Sequence, residues 1–156
     1  MEDTLSNASP IDLTKSCIFV MVKPGFLDYT DKIIEEFTSE TNRHMAWTLA
    51  RKVTKTLTLD EAKQIYGRQE NCFWYEGACE YLASDESTGL LFTRETAMNE
   101  QQDFLEVFVI KCELRDRYNQ QVKKDGDVKT LLHTADDLND VKLEAPIYFG
   151  EDVFMN

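Results

Sequence analysis

Between Cys17 and Val22 the chain reads CIFVMV, an unbroken apolar run with β-branched and aromatic members. Successive side chains of a strand point to opposite faces, so a strand apolar at every position offers no face to water. Such a run suits a central strand buried on both sides. Lys23-Pro24-Gly25 ends it, because proline cannot continue a central ladder and glycine allows a tight turn. Whatever this chain folds into must be built outward from that strand.

The flanking segments supply the rest. Asp28 is placed to cap a helix over 29–39 whose Ile33, Ile34 and Phe37 form one apolar face. The polar stretch 41–44 reads as a loop with His44 at the surface. Over 46–56, Trp47, Leu49 and Val53 alternate with Thr48, Lys52 and Thr54, the period of a half-exposed strand. Thr58-Leu59-Asp60-Glu61 has the form of a capping box and opens a short helix ending near Tyr66. A second helix over 73–83, a short strand over 89–93 and a helix over 95–112 follow, the last with Phe104, Leu105, Phe108 and Cys112 at core spacing. A polar loop, NQQVKKDGD, leads to a strand through Leu131 and Leu132. This βαββαβ order with an inserted helical pair predicts an α+β, ferredoxin-like sandwich, an antiparallel sheet with helices over one face. Residues 1–14, polar and aperiodic, read as a flexible arm, and 15–156 as one domain.

Charge and cysteine usage narrow the function. Against 29 Asp and Glu the chain has 17 Lys and Arg, a net charge of −12, which argues against a nucleic-acid groove. A phosphate ligand must then be held by a local basic cluster against the global field. Cys17, Cys72, Cys79 and Cys112 form no CxxC pair and have no neighbouring histidine, so they read as reduced side chains and zinc is rejected. No apolar run approaches the roughly 18 residues of a membrane helix, and the acidic start is unlike a signal peptide, which leads to a cytosolic expectation with no membrane partner.

One residue stands out chemically. His133 leaves the apolar run at Leu131-Leu132 and enters the acidic segment HTADDLNDVKLEAPIYF. A neutral imidazole can be both nucleophile and leaving group near neutral pH, provided a partner orients it. Glu144 lies eleven residues on, about three helical turns, so a helix folding back beside the strand would bring its carboxylate to one ring nitrogen. On spacing alone, a lone histidine at a strand end is more often an ordinary half-buried side chain than a catalyst.

The succession His133, Asp136, Glu144, Tyr148-Phe149 resembles the active-site stretch of nucleoside diphosphate kinases. Other stretches agree in order: Phe19 to Pro24 resembles that family's first strand, Leu57 to Tyr66 its capped helix ending in an active-site tyrosine, Trp74 to Leu82 its aromatic helix, and Leu114-Arg115 with Tyr118 a short-loop version of its phosphate-binding segment. The resemblance implies that His133 takes the γ-phosphoryl group of a nucleoside triphosphate and passes it to a diphosphate. Transfer through a loose, highly charged transition state is mostly positioning and charge neutralisation. By the same resemblance Lys23 and Arg115 would face the phosphates, Glu144 would fix the imidazole tautomer, Tyr66 would sit against His133, Trp74 would carry the base, and Mg²⁺ would bridge phosphate oxygens without protein ligands.

The departures pull the other way. The family's sugar-binding asparagine is Thr130 here, the Gly-Ser after the histidine is Thr134-Ala135, and no basic residue lies between Glu95 and Ile110 to replace the family's helix arginine. Shortened loops and the His-x-x-Asp ending look most like nucleoside diphosphate kinase domains of ciliary and axonemal proteins. Two expectations therefore stand: a kinase of weakened activity, or a scaffold of the same fold in a homo-oligomer or a ciliary or cytoskeletal assembly.

Overall fold

The computed structural model describes residues 9–40, 45–118 and 129–155. Strand β1 (Lys15–Val22) is buried at every position after Lys15, as its composition requires. It pairs antiparallel with β3 (Ser87–Ala97) on one side and with β4 (Leu132–Thr134) on the other, and β2 (Thr48–Lys55) pairs with β3, giving the order β2-β3-β1-β4. Helices α1 (Thr30–Thr38), α2 (Leu59–Ile65), α3 (Tyr75–Leu82), α4 (Glu100–Arg117) and α5 (Leu138–Phe149) complete the α+β sandwich. None of the described helices is long and apolar enough to cross a membrane.

Helices cover both faces of this sheet, not one. Ile18 stands opposite Phe92, and Phe92 stacks on Phe37 of α1 with ring centroids 4.8 Å apart. The next pair along, Phe19 and Leu91, points the other way. There Phe19 meets Tyr148 and Phe149 of α5 at 5.8 and 6.2 Å. A central strand apolar at each position needs this double cover. Gly89 lies under α5, where a Cβ would come within 2.5 Å of the Tyr148 ring, so the close approach of helix to sheet depends on the missing side chain.

Several boundaries differ from the sequence expectation, each for a local reason. Helix α1 has no side-chain cap; Asp28 sits in a 3₁₀ turn (Leu27–Tyr29), and the Thr30 hydroxyl donates to the Leu27 carbonyl. A bulge between Leu49 and Arg51 breaks the alternation of β2, so Leu49 pairs with Phe92 while Val53 pairs with Gly89 and the two face opposite sides of the sheet. Strand β3 runs on to Ala97, held by an ion pair of Glu95 with Lys15 at 2.6 Å and by the Arg94 guanidinium 3.9 Å from the Trp47 ring centroid. Helix α4 accordingly starts five residues later than expected, behind Asn99, whose side chain accepts from the Gln102 amide. Its buried face is Asp103, Phe104, Val107, Ile110 and Leu114; Leu105, Phe108 and Cys112, expected in the core, are exposed.

Thr58 does form the expected capping box with Glu61, and the two helices after it pair as a hairpin. Of the expected N-terminal arm, residues 1–8 lie outside the described residues, as do His44 and the loop 119–127. Ile11 is not free: it is buried and bridges to Phe154, with its amide donating to the Val153 carbonyl. Cys17 and Cys79 are buried, Cys72 and Cys112 exposed, and all four thiols are free; burial pushes the Cys17 thiol up to about 12.

Candidate functional site

His133 is the middle residue of β4 and stands opposite Met21. Alternation puts it on the same face as Phe19, the face covered by α5. Helix α5 begins behind Asp137, whose carboxylate accepts from the Asp140 amide at 2.8 Å. Its inward side carries Asp140, Val141, Glu144, Ala145 and Tyr148 at helical spacing. The fold thereby brings Glu144 Oε1 to 2.8 Å from His133 Nε2.

That contact is nearly dry, with side-chain exposures of 16% for His133 and 5% for Glu144. Burial raises the Glu144 carboxyl above the usual carboxylate range, and His133 beside it pulls it back down. An ionised Glu144 can only accept, so Nε2 carries the proton and the Nδ1 lone pair is available. Among the described residues nothing bonds to Nδ1.

Tyr66, at the end of α2, sets its ring perpendicular to the imidazole at 5.7 Å. Burial pushes its hydroxyl far above the ordinary range and keeps it neutral. Trp74 meets the Tyr66 ring edge-on at 5.7 Å and is half-buried. Lys23, at the end of β1, is buried; its Nζ lies 6.0 Å from the Tyr66 ring centroid and donates to Thr130 Oγ1 at 3.0 Å. Arg115 of α4 shares that hydroxyl at 3.4 Å and donates to the Leu132 carbonyl at 2.9 Å, while its Nε is buried without a partner. All seven residues proposed from the sequence thus lie in one neighbourhood of the fold.

The sequence reading missed two contributors. Lys111 lies one helical turn before Arg115, on the same side of α4; burial and then Arg115 lower its pKa, while Asp136 and Glu144 oppose that shift. It is the first basic residue after the cation-free stretch between Glu95 and Ile110. Its spacing of four from Arg115 was the available signal. Arg68, just after Tyr66, clamps α5 by ion pairs to Asp137 at 2.9 Å and Asp140 at 3.1 Å, and Gln64 adds a bond to the Leu143 carbonyl. Between them a cleft of about 180 Å³ opens beside His133 and Glu144. The clamp fixes the helix carrying Tyr66 against the helix carrying Glu144.

The electrostatics are lopsided. Lys23 and Arg115 meet at the Thr130 hydroxyl near His133, Lys111 interacts electrostatically with Arg115 and Glu144, and burial lowers the pKa of both Arg115 and Lys111. Cations gathered in one place can hold an anion between them by charge-assisted hydrogen bonds. No group of three His, Cys, Asp or Glu among the described residues is placed to hold a metal ion.

No protein-family model matches the chain, and no curated protein matches it in sequence. Solved structures do match in fold. The chain is similar to the nucleoside diphosphate kinase of Aquifex aeolicus, with a TM-score of 0.64 and 15% identity over 88% of this chain and 97% of that one. It is similar to the nucleoside diphosphate kinase of Encephalitozoon cuniculi at 0.60 and 13%, covering 90% and 92%. A nucleoside diphosphate kinase family protein of Babesia bovis follows at 0.57 and 11%, covering 90% and 93%. The fold is that of a nucleoside diphosphate kinase.

Proposed function

We propose that this chain transfers the γ-phosphoryl group of a nucleoside triphosphate to a nucleoside diphosphate through a phosphohistidine at His133. The observation that carries the reading is the 2.8 Å contact from Glu144 to Nε2, which leaves Nδ1 as the nucleophile. The Nδ1 lone pair attacks the γ-phosphorus, the bond to the β,γ-bridging oxygen breaks, and the diphosphate leaves with that electron pair. The Nε2 proton stays in its bond to Glu144, which stabilises the positive charge that the ring acquires. The second half runs the same step backwards onto a new diphosphate.

Lys23, Lys111 and Arg115 neutralise the transferring group and its neighbours, which is most of the catalysis such a transition state asks for. Tyr66 packs the imidazole in place, and Trp74 offers an aromatic edge near the base. Mg²⁺ brought in with the nucleotide would add charge neutralisation at the phosphates. Nucleotide binding is weak: the asparagine of complete enzymes is Thr130, whose hydroxyl already accepts from Lys23 and Arg115.

That same observation favours a second reading, a non-catalytic scaffold of this fold in a homo-oligomer or a ciliary or cytoskeletal assembly. Incubation with Mg²⁺, ATP and GDP separates the two. Formation of GTP that is lost in His133→Ala supports the transferase; no GTP above the His133→Ala background at any nucleotide concentration leaves the scaffold.

A further inference from the structure

Helix α4 is apolar on two opposite sides. Val107, Ile110 and Leu114 face the sheet, while Leu105, Phe108 and Val109 on the reverse are 61%, 54% and 43% exposed, and Cys112 is exposed with them. Positions 105, 108, 109 and 112 follow the spacing of a packing stripe. A groove of about 540 Å³ runs along this stripe, between α4 and the segment that follows His133. Phe104, Leu105 and Phe108 form its apolar wall, Glu100, Asp136 and Asp137 line it with carboxylates, and no cation lines it among the described residues. Lys111, whose Nζ lies 5.4 Å from the Phe108 ring centroid, stands outside the groove and is half-buried.

We propose that this groove docks a basic amphipathic segment of another protein, with leucine- or phenylalanine-type anchors against Leu105 and Phe108 and lysines or arginines toward Glu100 and Asp136, Asp137 being paired with Arg68. Charge decides the occupant. A second copy would bring the same three carboxylates against one another and set a net charge of −12 beside another −12. Nucleic acid and anionic lipid are repelled by the same field. Apolar anchors in the stripe supply affinity and the flanking cations supply orientation and rate of encounter. The proposal does not depend on phosphoryl transfer.

The test uses the full chain and a fluorescent amphipathic peptide of leucines and lysines, about 18 residues, long enough to form a helix. Its counterpart carries glutamate for lysine. The lysine peptide should bind saturably, the glutamate peptide should not, and Leu105→Asp or Phe108→Asp should weaken binding by roughly tenfold or more. Phe73→Asp, the same charge change at a side chain 82% exposed elsewhere, should leave binding unchanged. An equal loss in Phe73→Asp, binding of the glutamate peptide, or no saturable binding would overturn the proposal. So would a dimer in sedimentation, or adsorption to anionic vesicles, that Leu105→Asp abolishes.

Discussion

Replacing Glu144 by glutamine keeps the shape of the side chain and an oxygen for Nε2 but removes the charge. Hydrogen bonds to an ionised acceptor are about twice as strong as neutral ones, a difference of roughly 1–1.5 kcal/mol. The bond is 2.8 Å long and almost wholly buried, so solvent does little to screen that difference. In the proposed transfer the imidazole becomes cationic, and the lost charge is felt there rather than in the ground state. The rate of phosphorylation should therefore fall about tenfold, up to a hundredfold if the ring also loses its orientation. Stability should move the other way. Because burial raises the Glu144 pKa, its folded-state value lies above the unfolded one, so the stability it contributes is present at low pH and is lost as pH rises through the raised value. At neutral pH the ionised side chain is a cost, and Glu144→Gln should melt no lower than the parent. Single-turnover labelling with γ-labelled ATP, paired with a melting curve at pH 7, reads both quantities. An unchanged rate would refute the orienting role; a slower rate with a much lower melting temperature would assign Glu144 to structure instead.

The same raised carboxyl predicts a contribution to the acid limb of the pH–rate profile, beginning above the ordinary value of 4.5 as Glu144 takes a proton, and Glu144→Gln should change the shape of that limb. Lys111→Met should weaken ATP binding by roughly tenfold or more in a calorimetric titration, the scale of one charge-assisted bond, without lowering the melting temperature, since a cation penalised by burial is removed; unaltered affinity would place Lys111 outside the phosphate site. Gly89→Ala forces a methyl group to 2.5 Å from the Tyr148 ring and should cost about 1–3 kcal/mol, a melting temperature lower by roughly 2–12 °C; no shift would mean α5 can lift from the sheet.

What the sequence disclosed and what it hid follow from different physics. The all-apolar β1, the capping box at Thr58 and the His133–Glu144 spacing each depend on nearby residues obeying a local period, and each is where it was expected. The single-sided view of the sheet failed because cover on the second face comes from α1 and α4, which no local pattern announces. Helix α4 differs most from its expected packing: with apolar stripes on opposite sides, periodicity alone does not say which one faces the sheet, and Leu105, Phe108 and Cys112 form the outer one. The bulge at Ala50 is a tertiary feature of the β2–β3 register, and no residue there advertises it.

The central claim is that Glu144 on Nε2 turns Nδ1 of His133 into the phosphoryl acceptor. The most direct measurement is to treat the chain with Mg²⁺ and ATP, quench in alkali to preserve acid-labile phosphate, and identify the phosphorylated atom by phosphorus–nitrogen NMR on histidine-labelled protein. The account predicts phosphate on Nδ1 of His133. Phosphate on Nε2, or labelling that persists in His133→Ala, would contradict it.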